Sequence, residues 1–492
     1  MSRDQLDSPT ARLVRTLGEV NDQVYLGAYE HWWRVRGRAI SESVDRSATP
    51  WLKMFDSHGV RIDEIQFEPD YYEMLARGYR EGAVWRVFDR QDILPFFRLG
   101  YVASFYDPGL YCPYTVTLAT ALSLYKYGDK GLCDDYLPRL LNRGHDFWQG
   151  ATWMTEIGGG SDLGQTVRTV ARKCGDRWLL NGDKYFASNV GAELALVAAR
   201  PDGAPDGVRG LALFLVPRKN NKGGLNYCVR RLKNKIGTRS VPTGEVELRD
   251  SEGFLLGRTE QGIYLILEGL NISRVANSIA CIALAQRVLS ETSRFAERRE
   301  LFGRPLRQQP LFLRQLGQRV EGLQANFLLA WEAVQLLRDV WQEKPSYSDR
   351  YHLFRLVAHL AKYLTAEFAL ETSQWSMQAH GAIGILAEFP VERWFREAVI
   401  LAIWEGTAHR QILDGIEVMQ RKRAHERLFE YLGDAVDKAQ REQLSERIDA
   451  LLRLEQGPLE AQSEEVFREL AEFTAAALVR RKENALGDSW TK

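Results

Sequence analysis

Trp153-Met154-Thr155-Glu156-Ile157-Gly158-Gly159-Gly160-Ser161-Asp162 stands where the chain changes character. Ahead of it, apolar residues recur mostly at helical spacing. Beyond it, β-branched and alternating segments take over. Three consecutive glycines let a backbone approach a ligand closely, at a large entropic cost on folding. Ser161 can donate to an anionic oxygen, and Thr155 with its backbone neighbours can satisfy the polar edge of a ring. The run lacks the Gly-x-Gly-x-x-Gly of a Rossmann fingerprint and the Gly-Lys-Ser/Thr end of a Walker A loop. Taken alone, it reads equally as a loop leading into a strand and as a cradle for a planar cofactor.

Working outward, residues 5–99 read as mostly helical, with breaks at Ser47-Ala48-Thr49-Pro50 and Asp56-Ser57-His58-Gly59. A buried helix is expected after Pro113, and a helix or turn over Asp134 to Leu141. On the far side, Gln165–Arg172 and Arg177–Leu180 flank a Cys174-Gly175-Asp176 turn, and Asn181-Gly182 reads as the next tight turn. Leu194–Ala199, Leu211–Val216 and Glu245–Leu248 are further strands. Crossover helices have little room here, so a mostly antiparallel domain is expected. Helical spacing returns after Gly262 and continues over 310–341, 352–380 and 391–418, which suits a four-helix bundle. In the tail, Leu444, Ile448, Leu451 and Leu452 share one helical face, and Gly457-Pro458 separates a second helix. The expected architecture is therefore α+β: an N-terminal helical domain (1–149), a middle antiparallel β domain (150–258), a C-terminal helical bundle (259–420) and a helical extension (421–492).

The 492 residues carry 65 Lys+Arg and 65 Asp+Glu, so net charge gives no general attraction to nucleic acid or membrane. Residues 421–492 hold 13 basic and 15 acidic side chains, which gives no basic tail. The charged N-terminus lacks a secretory h-region, and no apolar stretch reads as long enough to cross a membrane. Five scattered cysteines and eight scattered histidines form no metal motif, and reduced thiols point to a cytoplasmic protein.

A second stretch, Leu401-Ala402-Ile403-Trp404-Glu405-Gly406-Thr407-Ala408-His409-Arg410, sets one carboxylate after an apolar run. An apolar setting raises a carboxylate's pKa toward the range useful to a general base. Locally, a helix N-cap or surface carboxylate is an equal reading.

Several segments in order resemble the acyl-CoA dehydrogenase superfamily, and its subgroup related to the bacterial alkylation-response protein AidB. They are the glycine run, Lys184-Tyr185-Phe186-Ala187-Ser188-Asn189, Arg299-Glu300-Leu301-Phe302-Gly303, Gln378-Ala379-His380-Gly381-Ala382-Ile383-Gly384 and Trp404-Glu405-Gly406-Thr407. The subgroup flavour lies in Phe55–Asp63, Leu110–Thr117 and Leu232–Ser240. The resemblance implies FAD between the middle β domain and the C-terminal bundle. It sets Trp153, Met154 and Thr155 beside the isoalloxazine, Gly160 and Ser161 near the pyrophosphate, and Phe186 and Ser188 near the flavin. Phe186 and Ser188 alternate along an apparent strand and so share a face. Arg299, Phe302, Gln378 and Gly381 would serve the cofactor of an adjacent subunit, which implies a homodimer or, as in the family, a homotetramer. Trp404 stands where the family often has tyrosine, and Thr407 at a cofactor-contacting position. Arg274 is implied to bind substrate. Asn271, Ala382 and His409 depart from the family pattern.

Glu405 is implied to be the base that removes an α proton from an acyl thioester, carried on CoA or on a carrier protein. An electron-transfer flavoprotein or oxygen would then take the electrons. Two alternatives stay open: an AidB-like flavoprotein that binds DNA or protects against alkylation, and a flavin oxidase or monooxygenase.

Overall fold

The computed structural model describes residues 3–18, 22–344 and 347–487; the extreme ends of the predicted N- and C-terminal segments lie outside them. The chain separates into two compact units, residues 21–273 and residues 1–20 with 274–492.

In the first unit, two helices, Leu94–Tyr106 and Tyr111–Tyr127, are buried over most of their length. Residues 51–66, expected to be helical on either side of the break at Asp56–Gly59, form a hairpin instead: β1 (Trp51–Phe55) pairs antiparallel with β2 (Arg61–Gln66). Two-residue alternation places Leu52 and Ile65 against the β core, and the buried Asp63 accepts from Val229 N at 2.9 Å. Both features favour a strand pair over a helix.

The strands that follow are β3 (Gly150–Trp153), β4 (Val170–Cys174), β5 (Arg177–Ser188), β6 (Leu194–Pro201), β7 (Ala212–Pro217), β8 (Cys228–Leu232) and β9 (Thr243–Leu255). Most pairings are antiparallel, as expected, but β3 and β4 each run parallel to β6, so the sheet is mixed. β6 also pairs with β7, and β7 with β9, β9 with β5, and β5 with β4; five strands thus close into a ring. Inside the ring β6 and β7 are almost entirely buried, which explains their unbroken apolar runs. Asn181-Gly182 does not turn the chain. The register slips between Leu180 and Gly182, and Asn181 exchanges hydrogen bonds with Asp250 at 2.9 and 3.0 Å. That exchange carries the pairing with β9 through a bulge.

The second unit is helical: Pro310–Val340, Asp349–His380, Pro390–Ile403 and Ala408–Lys422 pack with the C-terminal part of Gly262–Arg298. Thr292 and Ser376 hydroxyls meet at 2.6 Å, and Asn277 Nδ2 donates to Leu401 O at 3.0 Å. The expected continuous helix over 391–418 is interrupted at Trp404–Thr407. In the tail, Lys438–Leu452 buries Leu444, Ile448 and Leu451. Gly457-Pro458 falls in the first turn of the last helix, Gln456–Gly487, where proline is tolerated. That helix lays the fully buried Phe467 against Gly415 and 5.6 Å from the Tyr363 ring. The long helix ending at Arg298 does contain a stretch apolar enough to cross a membrane, contrary to the sequence reading. Because 78% of that stretch is buried in the protein, it is a core helix by its packing.

Candidate active site

The glycine run begins as β3 ends. Glu156 turns inward and accepts from Arg168 N at 2.7 Å, Thr169 N at 3.1 Å, Thr169 Oγ1 at 2.6 Å and the buried Lys184 Nζ at 2.6 Å. Burial alone would raise its pKa; Lys184 and these donors outweigh burial and hold the carboxyl below its ordinary value. This anchor fixes the root of the loop, while Ile157, Gly158, Gly160 and Ser161 stay exposed. Gly160 lies so close to Thr155 that a Cβ would stand 2.5 Å from the Thr155 hydroxyl oxygen.

Trp153 is fully buried in the β core, donating from Nε1 to Ser188 O at 3.0 Å and meeting Tyr227 edge-on. Its indole is thus committed to the core, which leaves only its backbone for a ligand. Met154 is buried beside it, and Thr155 O accepts from Tyr185 N at 3.0 Å. A register slip between Lys184 and Ala187 bulges β5 outward at Tyr185 and Phe186. Lys184 and Ala187 point inward; Phe186 is 51% exposed and Ser188 half-buried, so both lie opposite the buried Ala187. Trp153, Met154, Thr155, Gly160, Phe186 and Ser188 thus gather on two linked strands and their loop.

The carboxylate stretch lies in the other unit. Glu405 sits between two helices with φ +58°, followed by Gly406 at +98°. A left-handed glutamate costs on the order of 1 kcal/mol, so its surroundings must hold it. Thr407 takes the N-cap position of Ala408–Lys422, yet its hydroxyl makes no capping bond to that helix. Glu405 is therefore neither cap nor surface carboxylate. It is half-buried, and burial pushes its pKa from 4.5 up to about 6 against the pull of Arg274 and Lys362. Trp404 is half-buried and donates from Nε1 to Asn277 Oδ1. Arg274 is 6% exposed and bonds Asp414 at 3.1 Å, the carboxylate that Arg410 also engages. Its guanidinium is bound to Asp414, close enough to oppose the rise in the Glu405 pKa, and is not displayed at the surface. Lys362 donates to Ala402 O at 3.1 Å, and burial lowers its pKa to about 8.

The remaining expected residues collect at another end of the helical unit. Phe302 and Gly303 form the turn of a small hairpin between β10 (Glu300–Leu301) and β11 (Arg304–Pro305), both with positive φ. Arg299 is exposed and Phe302 is 97% exposed, yet Gln309 Nε2 fixes the hairpin through Leu301 O at 2.8 Å. Gln378 is exposed, and Gly381, at φ +66°, ends the helix by donating to Gln378 O. Phe295 and His380 stack at 4.1 Å, which joins these two segments. They lie far from Glu405 within one chain, because Lys362 and Gln378 are ~24 Å apart along one helix at 1.5 Å per residue.

Sequence reasoning missed the Glu156–Lys184 pair and the side chains around the base, His359, Lys362 and Gln411. His359 and Lys362 are one turn apart, a spacing visible in the helical pattern. Nothing local marks Gln411 or Lys184.

Residues 34–147 match the family described as Adaptive response protein AidB N-terminal domain. Residues 151–251 match Acyl-CoA dehydrogenase, middle domain, and residues 260–420 match Acyl-CoA dehydrogenase, C-terminal domain. Acyl-CoA dehydrogenase family member 11 of Caenorhabditis elegans is 30% identical over 76% of this chain, and the chain spans 63% of that relative's length. AidB of Escherichia coli (strain K12) is 28% identical over 76% of this chain and 70% of its own. The solved apo form of Bd2924 superposes with a TM-score of 0.88 at 27% identity, covering 98% of each chain. With three consecutive matches running from Arg34 to Gln420, the chain belongs to the acyl-CoA dehydrogenase superfamily, in its AidB-related subgroup.

Proposed function

We propose that this protein is an FAD-dependent dehydrogenase of an acyl thioester with Glu405 as its base. The observation that carries the reading is the state of Glu405: a half-buried carboxyl with its pKa pushed to about 6, on a left-handed turn. Such a carboxyl is ionised at neutral pH yet basic enough to take a proton from carbon next to a thioester carbonyl.

The residues of the β unit fit a flavin. The Gly160 backbone packed on Thr155, an exposed Ser161 hydroxyl, the Thr155 and Ser188 hydroxyls and the outward Phe186 ring supply close backbone approach, polar donors and an aromatic face. When bound, FAD supplies the acceptor for the two electrons that leave the β carbon. Glu405 accepts the α proton, Trp404 shields the carboxyl from water, and Arg274 and Lys362 keep it from becoming too weak an acid. Thr407 offers a hydroxyl not spent on its own helix. Arg299, Phe302, Gln378 and Gly381 are assigned to the cofactor of a neighbouring subunit, so the working form is at least a homodimer and, on the family pattern, a homotetramer. Their exposure and their distance from Glu405 within one chain support that assignment. An electron-transfer flavoprotein or oxygen reoxidises the enzyme.

Anaerobic titration of the FAD-loaded protein with a panel of acyl-CoA and acyl-carrier thioesters tests the proposal. Bleaching of the flavin band by at least one of them is expected. A flavin that stays oxidised with the whole panel at full occupancy would reject it.

A further inference from the structure

The turn that carries Glu405 is held from behind by two side chains of one helix. His359 and Lys362 lie on Asp349–His380, one turn apart. Lys362 Nζ donates to Ala402 O at 3.1 Å, at the end of the helix that leads into the turn. His359 works at one remove. Its Nδ1 is 2.9 Å from Gln411 Oε1, and Gln411 Nε2 is 3.0 Å from Glu405 O and 3.0 Å from Gly406 O. Both carbonyls of the left-handed pair thus depend on one amide. A Cβ on Gly406 would stand 2.6 Å from that Nε2, so the amide packs directly on the turn.

The hydrogen positions follow from this pattern. Two carbonyl acceptors require Nε2 of Gln411 to be the donor, which leaves Oε1 as an acceptor, so His359 Nδ1 must carry the proton. The ring is fully buried, and burial, reinforced by Arg274, lowers its pKa to about 3. It faces Gln411, Arg274 and Asp414, with Arg355 on its own helix. It therefore stays neutral and keeps one tautomer at any working pH.

We propose that His359, acting through Gln411, is a positioning residue that fixes the backbone of the Glu405–Gly406 turn and thereby aims the base. The proposal rests on the reading of Glu405 as the base. Neither residue touches a reacting atom in this account. A relay that does not titrate suits that task, because the aim of the carboxylate stays constant while Glu405 itself gains and loses its proton.

The test uses the full-length FAD-loaded protein and three variants. His359→Phe keeps volume and removes the donor, His359→Asn returns an N–H near the Nδ1 position, and Gln411→Met removes the donors to both carbonyls. The first readout needs no substrate: infrared difference titration of the Glu405 carboxyl, assigned by its loss in Glu405→Gln. The charged groups nearest Glu405, Arg274 from Gly262–Arg298 and Lys362 from Asp349–His380, are unchanged in every variant, so a shift reports the position of the carboxyl. The second readout is anaerobic flavin reduction by butyryl-CoA, or by whichever thioester reduces the wild type. His359→Phe and Gln411→Met should move the titration from about 6 toward 4.5 and slow reduction at least tenfold, with the half-saturating thioester concentration little changed. His359→Asn should restore both. An unchanged titration in His359→Phe and Gln411→Met would overturn the proposal, as would equal losses in His359→Phe and His359→Asn. If one variant does not fold, the other decides. Should no thioester reduce the wild-type flavin, the proposed function fails while the infrared arm still judges the relay.

Discussion

Replacing Glu405 with Gln should stabilise this protein at pH 8 and leave its stability almost unchanged at pH 4. In the folded chain the carboxyl titrates at about 6; its unfolded value is 4.5. The native state therefore binds this proton more tightly than the unfolded state. Below 4.5 both states are protonated and the buried neutral acid carries no penalty. As pH rises through 6 that advantage is lost, and above it the native state holds a charge that burial opposes. At ~1.36 kcal/mol per pH unit, the rise corresponds to ~2 kcal/mol. Partial exposure of the side chain reduces this to about 1–2 kcal/mol. Glutamine cannot ionise, so the variant escapes the penalty. Urea unfolding of wild type and Glu405→Gln, both stripped of cofactor and measured side by side from pH 4 to 8, gives the difference directly. Titrating groups remote from Glu405 are common to the two proteins and cancel; Lys362, whose protonation Glu405 favours, responds only near pH 8, above the window that decides the test. A difference that grows between pH 4.5 and 6.5 in favour of Gln is expected. A flat difference, or a variant less stable at pH 6.5, would refute the argument that burial governs Glu405.

Other substitutions probe the rest of the account. Lys184→Met leaves the Glu156 carboxylate buried without its cation and should cost about 3–5 kcal/mol in equilibrium unfolding. Gly160→Ala forces a methyl against the Thr155 hydroxyl; fluorescence titration should show FAD affinity lost by tenfold or more, with thermal stability of the cofactor-free protein little altered, because the loop is exposed. Phe302→Gly relieves a left-handed phenylalanine and removes an exposed ring. Sedimentation should show the subunits dissociating at higher concentration than wild type, while the melting temperature of the separated subunit holds or rises.

The helical parts were legible because their apolar spacing is long and regular. Pro310–Val340 and Asp349–His380 appear nearly where the pattern predicts them. Two strand features were not. Asn181-Gly182 carries a turn signal, yet the Asn181–Asp250 exchange with a strand some seventy residues later keeps the chain extended. The hairpin at residues 51–66 is short, and its reason to form lies in the bond from Val229 N to Asp63. Both depend on partners remote in sequence, which local periodicity does not register. At the site, residue type left Glu405 and the glycine run ambiguous, and the ordered family resemblance singled them out. It did not single out what supports them. Lys184 looks like any strand lysine, and Gln411 like any helix glutamine, until the fold brings Glu156 and the Glu405 turn to them. The resemblance sets Trp153 beside the cofactor without saying which part of the residue faces it; the fold buries the ring in the core of the β unit.

The most direct test of the central claim is single-turnover flavin reduction, without oxygen, in wild type and Glu405→Gln loaded equally with FAD and mixed with the same acyl thioester. The account predicts rapid bleaching in wild type and a rate about 10²–10⁴-fold lower in the variant, the range lost with a general base. It also predicts unchanged FAD content. A variant that bleaches at the wild-type rate would show that another group takes the proton and that Glu405 is not the base.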